Sequence, residues 1–201
     1  MSYSYVMDAS FPNGEKDHLK GTIYLDNDAQ RYYNDCDAFT MIYTAHWLYK
    51  ADHRNKKLAI NNLDKENNKK LKTATEKDVF QNAAAITFLD SVVLKTAVVK
   101  KMKHEGNLLK VLLGFPKSAL VQQIEVVYNI ATNLPVSYDM MVSHPWQRTP
   151  KWGQVVQTRI KCSDFKKPSD KSSYDESNFF SYNKGDIELK KYKNYKLTVN
   201  M

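Results

Sequence analysis

Short stretches of alternating apolar and polar residues recur along most of the chain. Residues 20–25 read as a short strand. Residues 39–50 (FTMIYTAHWLYK) are aromatic and β-branched with partial alternation, and predict a strand. A basic turn follows over 51–57, and Leu58-Ala-Ile-Asn-Asn fits as the hairpin partner. Residues 61–72 are highly charged and read as a solvated loop. The pattern then changes. Phe80, Ala84, Phe88 and Val92 are spaced by four, and Thr75-x-x-Asp78 resembles a capping box with Asp in place of Glu. Lys95, Lys100, Lys101 and Lys103 crowd the far end, where the helix dipole favours cations. Gly106 is a natural stop. The spacing predicts one long helix over about 76–104.

Beyond it, 108–113 is short, apolar and ambiguous. Residues 119–130 (ALVQQIEVVYNI) and 153–162 (GQVVQTRIKC) predict strands, with a further extended piece from Pro135. Residues 163–185 are rich in Ser, Lys, Asp and Asn and read as a polar loop. Residues 187–199 predict one or two strands. The expected class is α+β: a mainly antiparallel sheet or β-sandwich core with one long helix. The 201 residues suit a single domain with a polar N-terminal arm over about 1–20.

Composition narrows the function. All but four of the 30 basic residues are Lys, and the formal net charge is +8. Sequence-reading nucleic-acid proteins lean on Arg for bidentate contacts, so no specific nucleic-acid role is expected. The longest apolar stretch, 83–99, is interrupted by Thr87, Asp90, Ser91, Lys95 and Thr96, too polar to span a bilayer. The N-terminus lacks the basic and apolar segments of a secretory leader, so the chain is expected to remain in the cytoplasm. Two cysteines, Cys36 and Cys162, cannot form a disulfide framework. Thirteen tyrosines stand out against eight Phe and three Trp. Tyr suits half-wet interfaces, and equally suits strands.

Candidate chemistry is thin. Cys36 and His144 form the one Cys/His pair that invites a nucleophile reading. Cys36, however, sits between acidic residues that raise a thiol's pKa rather than lower it. His18, His46, His53, His104 and His144 show no metal-ligand spacing, so no metal site is expected. No glycine-rich phosphate loop occurs. The Lys100-Lys101-Met-Lys103-His104 cluster reads as a solvated helix end. No enzyme is expected. The most distinctive string is Ser143-His144-Pro145-Trp146, where Pro145 biases His144 to extended geometry and makes a rigid corner.

That string follows Val136-Ser137…Asp139 and precedes the basic alternating strand 153–161, an order that resembles cypovirus polyhedrins. A second patch is similar to the same family: Gln30-Arg-Tyr-Tyr-Asn-Asp35, then 41–49 (MIYTAHWLY), then Leu58-Ala-Ile-Asn61. The resemblance implies a self-assembling structural protein that forms the crystalline matrix of viral occlusion bodies. It implies homotrimers packed in a lattice around virus particles, in the cytoplasm of infected cells, with no membrane partner. Some members of that family hold nucleotides in the lattice; no other cofactor is expected. Dissolution at alkaline pH fits the composition, since Lys discharge and Tyr ionisation together reverse the net charge. Tyr32, Tyr33, Tyr43, Tyr49 and Tyr138 are the candidate alkaline-sensing and packing tyrosines. The alternatives are a basic viral matrix or RNA-binding protein, or a small hydrolase using Cys36 and His144.

Overall fold

Where the sequence alternates, the chain forms strands. The computed structural model describes residues 1–11, 14–26, 28–76, 96–116, 121–144, 156–167, 172–183 and 185–200. They hold β1 (Ser2–Ser10), β2 (Lys16–Asp26), β3 (Arg31–Cys36), β4 (Phe39–Tyr43), β5 (Trp47–Asp52), β6 (Lys57–Asn62), α1 (Lys69–Glu76) and β7 (Val98–Glu105). Then come β8 (Leu108–Gly114), β9 (Val121–Asn129), β10 (Leu134–His144), β11 (Val156–Lys166), β12 (Phe180–Asn183), β13 (Asp186–Leu189) and β14 (Lys196–Asn200). The chain divides into two compact units. One comprises residues 1–2, 21–87 and 166–201; the other comprises 3–20 and 88–165.

In the first unit the strands run in the order β14-β6-β5-β4-β3-β2. Successive strands β2 to β6 pair antiparallel, as short turns require. Each turn has its own chemistry. Gln30 takes φ 49° between β2 and β3, and Lys56 takes φ 50° before β6. Thr44 Oγ1 accepts from the amides of His46 (3.3 Å) and Trp47 (3.1 Å), closing the β4–β5 turn. β14 then returns from the far end of the sequence and pairs parallel to β6.

The registers place Ile42, Tyr49, Ala51, Leu58 and Ile60 on one face. The segment 172–195 covers it, with Phe179 and Phe180 buried against those residues and Trp47, Ile187 and Leu189 at the margin. Burying each large side chain contributes about 1.5–3 kcal/mol. The packing is aromatic: Tyr49 stacks on Phe180 with centroids 6.0 Å apart, and Tyr24 stacks on Tyr174 at 4.3 Å.

In the second unit the order is β1-β11-β10-β9-β8-β7. One face gathers Leu113, Ile124, Val126, Tyr138, Met140 and Cys162, all buried. The other carries charge: Glu105 with Lys103 and Lys110, and Asp139 with Arg159 and Lys161.

Two expectations are corrected here. The chain is mainly antiparallel sheet rather than a sandwich, and it has no long helix over 98–104, where β7 stands. Val98 and Val99 are β-branched, and the run pairs with the apolar 108–114 segment. Gly106, at φ 59°, begins a two-residue hairpin turn with Asn107 rather than a helix cap; glycine in that first turn position suits a type II′ turn. The remainder of the predicted helix, 77–95, lies outside the described residues. The α-helix that does occur among the described residues, α1, sits at the end of the stretch read as a charged loop, and Thr75 lies inside it. The stretch read as a polar N-terminal arm contains β1, whose Tyr3, Tyr5 and Ala9 are buried.

Candidate functional site

On the face of β5, β6 and β14 opposite the aromatic core, small and cationic residues alternate. The registers set Lys50 beside Ala59 and Ala59 beside Thr198; the next row holds Asp52, Lys57 and Lys196. Strands about 4.8 Å apart bring these side chains together. They line an open cavity of about 400 Å³, with Leu58 between Lys57 and Ala59. Ala59 is the small floor, and the lysines are the rim. Lys50, Lys57 and Lys196 are exposed, and none has an ion-pair partner among the described residues.

The one carboxylate in the cavity is already engaged. Asp52 accepts from the side-chain amide of Asn55 (2.8 Å) and from its backbone amide (2.9 Å). These bonds hold its carboxyl below the usual carboxylate range. It shapes the β5–β6 turn and leaves three ammonium groups facing the same space. Two such groups ~7 Å apart repel by about 0.6 kcal/mol in water-like surroundings, a term that an anion reverses.

A second polar cluster lies on the core face. Thr40 is fully buried and donates to Asp35. Its oxygen also meets His53 Nε2 at 2.9 Å and the Tyr192 hydroxyl at 3.1 Å. His53 Nδ1 lies 3.1 Å from the Tyr195 hydroxyl. A consistent assignment gives Thr40 one donation, to Asp35, and two acceptances, from His53 Nε2–H and Tyr192. This exhausts a hydroxyl's capacity. The Thr40–His53 contact superficially resembles a nucleophile and base, but a buried hydroxyl whose proton is held by a carboxylate presents nothing to a substrate. The cluster fastens the segment before β14 to the sheet.

The predicted site residues are dispersed. Ser143 and His144 close β10, while Pro145 and Trp146 lie outside the described residues. Cys36 is buried in β3, and burial pushes the Cys162 thiol up to about 12. Tyr32, Tyr43, Tyr49 and Tyr138 are buried, and Tyr33 is half-buried. Burial pushes Tyr32 up to about 12 and raises Tyr49 and Tyr138; burial and then Asp35 raise Tyr33. The Tyr49 hydroxyl is buried with no hydrogen-bond partner among the described residues. Four of the five thus lie in the interior, and Tyr33 packs at the margin of the aromatic cluster. Lys103 on β7 pairs with Glu105, so the basic cluster read as a helix end belongs to a strand. Among the described residues no group of His, Cys, Asp and Glu could hold a metal ion. Sequence reading missed the groove because Lys196 and Thr198 join it through a parallel pairing that spans most of the chain; the basic turn at 51–57 was its one local signal.

No protein-family model matches the chain, and no curated protein matches it. Solved structures similar to it include an uncharacterized conserved protein from Thermus thermophilus, at 9% identity and TM-score 0.40, covering 100% of this chain and 91% of that one. A LolA superfamily protein from Nitrosomonas europaea is 6% identical at TM-score 0.31, covering 86% and 87%. A DUF1329 family protein from Desulfovibrio piger is 10% identical at TM-score 0.34, covering 88% and 89%. None of these is a polyhedrin, and the polyhedrin resemblance does not stand. The occlusion-body matrix function and the placement in infected-cell cytoplasm rested on it and fall with it. The patch over 30–61 has a local physical reason, since its tyrosine-rich strands supply much of the core of the first unit; the Ser143–Trp146 patch lies in the second unit, with 145–155 outside the described residues.

Proposed function

We propose that this protein is a non-catalytic binding protein whose site is the lysine groove of β5, β6 and β14, and that it takes a small phosphorylated or sulfated molecule. The observation that carries this reading is the convergence of Lys50, Lys57 and Lys196, without ion-pair partners among the described residues, around the small floor of Ala59. Ammonium groups with free donors bind tetrahedral oxyanions through charge-assisted hydrogen bonds, and the Thr198 hydroxyl adds a neutral donor. The test is calorimetric titration of the full chain with inorganic pyrophosphate, beside a short oligonucleotide of matched phosphate concentration. Saturable pyrophosphate binding that weakens by about tenfold or more in Lys57→Ala supports the reading. Binding of the oligonucleotide alone, or pyrophosphate binding indifferent to Lys57 and to Ala59→Leu, overturns it.

A further inference from the structure

Two of the groove's side chains, Lys196 and Thr198, stand on a strand that is poorly secured by its own side chains. Every residue of β14 from Lys196 to Asn200 is exposed, so side-chain burial does little to hold it. Its attachment comes from the parallel backbone ladder with β6 and from its two ends. At the far end, Asn200 Nδ2 donates to Asn61 Oδ1 at 2.6 Å. At the near end, the Lys196 amide donates to the Lys56 carbonyl at 2.8 Å, directly after the turn closed by the Tyr195 amide and the Tyr192 carbonyl (2.9 Å).

That turn is strained and anchored. Tyr192 has φ 54°, a region costly for a bulky side chain, and persists where its surroundings over-determine it. Those surroundings are Thr40 and His53. The rings of Tyr192 and Tyr195 lie 5.1 Å apart, and both pack on His53, at 4.9 and 5.9 Å. Their hydroxyls reach Thr40 and His53, which the sheet holds rigidly on the opposite face from the groove.

We infer that Tyr192 and Tyr195 are positioning residues of the anion groove, and that anion binding and docking of β14 are coupled. This rests on the groove reading given above. A ligand that contacts Lys196 and Thr198 binds only the docked strand, so it must stabilise docking by the same factor by which docking strengthens binding. An undocked β14 leaves Lys50 and Lys57 facing half a site.

Hydrogen exchange across the full chain tests this, with pyrophosphate as the probe. Saturation at 100 times Kd is expected to slow exchange of the 196–200 amides by up to about a hundredfold, with the β7–β8 hairpin unchanged. Tyr192→Phe and Tyr195→Phe keep the rings and remove the hydroxyls. Each is expected to speed exchange at 196–200 in the free protein and to raise Kd for pyrophosphate by roughly three- to tenfold, the effect of losing one or two hydrogen bonds. Unchanged protection in β3 to β5 establishes that these variants remain folded. If the native protein binds pyrophosphate through Lys57, yet both tyrosine variants bind equally well or exchange at 196–200 is indifferent to ligand, the coupling is overturned while the groove stands. If the native protein binds no pyrophosphate, the groove reading and the coupling both fail.

Discussion

The two units treat the same excess of lysine in opposite ways. In the second unit four cations lie in a ladder with acids: Lys103 and Lys110 flank Glu105, and Arg159 and Lys161 flank Asp139. In the first, Lys50, Lys57 and Lys196 gather with one carboxylate that a neighbouring asparagine already occupies. Their cores differ as well. The first is built from Tyr24, Tyr49, Phe179 and Phe180; the second draws on Leu113, Ile124, Val126 and Met140. A charge answered by its neighbour is solvated scaffolding, whereas cations gathered around one cavity are the feature on which the proposed anion binding rests.

The largest expected contrast is at alkaline pH. Burial pushes Tyr24 and Tyr32 up to about 12 and raises Tyr33, Tyr49 and Tyr192, all in the first unit; in the second, burial raises Tyr138. A phenol whose pKa is higher folded than unfolded gives stability that is complete below the ordinary value of 10 and is lost as pH rises toward 12. Hydrogen exchange between pH 9 and 12 should therefore show protection failing first in β3 to β6. Simultaneous failure of β8 to β10 would erase the distinction between the cores.

Next comes the groove itself. Lys57→Ala combined with Lys196→Ala should weaken pyrophosphate binding by about a hundredfold or more, since charge-assisted bonds contribute ~1.5–3 kcal/mol each. Lys103→Ala combined with Lys161→Ala removes the same charge and should leave calorimetric affinity within about twofold. Equal losses would mean that net charge, not the groove, governs binding.

A finer test strengthens the weak attraction between Asp52 and Lys57. Asn55→Ala releases Asp52, which then competes for Lys57. Affinity should fall by roughly two- to fivefold, the worth of an exposed ion pair, while Asp52→Asn should raise it. The smallest effect belongs to the ladder. Hydrogen bonds from Lys103 and Lys110 hold Glu105 down to about 2. Its contribution is present above the unfolded value of 4.5 and fades as pH falls toward 2. Because the group is exposed, Glu105→Gln should scarcely move the urea midpoint at pH 7.

What the sequence revealed follows the range of the forces involved. The hairpin of β5 and β6 was legible from its aromatic alternation and the basic turn between. The run 39–50 nevertheless breaks into two strands at Thr44, whose hydroxyl closes a turn that no Gly or Pro announces. β7 was misread because its lysines fit a helix end as well as a strand exposed on both faces, and only the partner at 108–114 decides between them. The tyrosines were recognised as significant, but aromatic residues suit interfaces and strands alike, and burial settled them as core. The groove was illegible: Lys57 and Lys196 are cross-strand neighbours through a parallel pairing, which leaves no local signature.

The parallel strand has a further consequence for how the protein behaves in a crowded solution. A sheet ends in a row of unsatisfied amides and carbonyls that recruits any other strand. In the first unit β6 carries Leu58, Ala59 and Ile60 along such a margin, and β14 pairs with it, presenting Lys196, Thr198 and Asn200 on one face and Leu197 and Val199 on the other. The β14 strand thus stands between the apolar margin of β6 and other proteins in solution. Removing residues 190–201 should leave a chain that associates with itself before it unfolds, visible as concentration-dependent growth in light scattering.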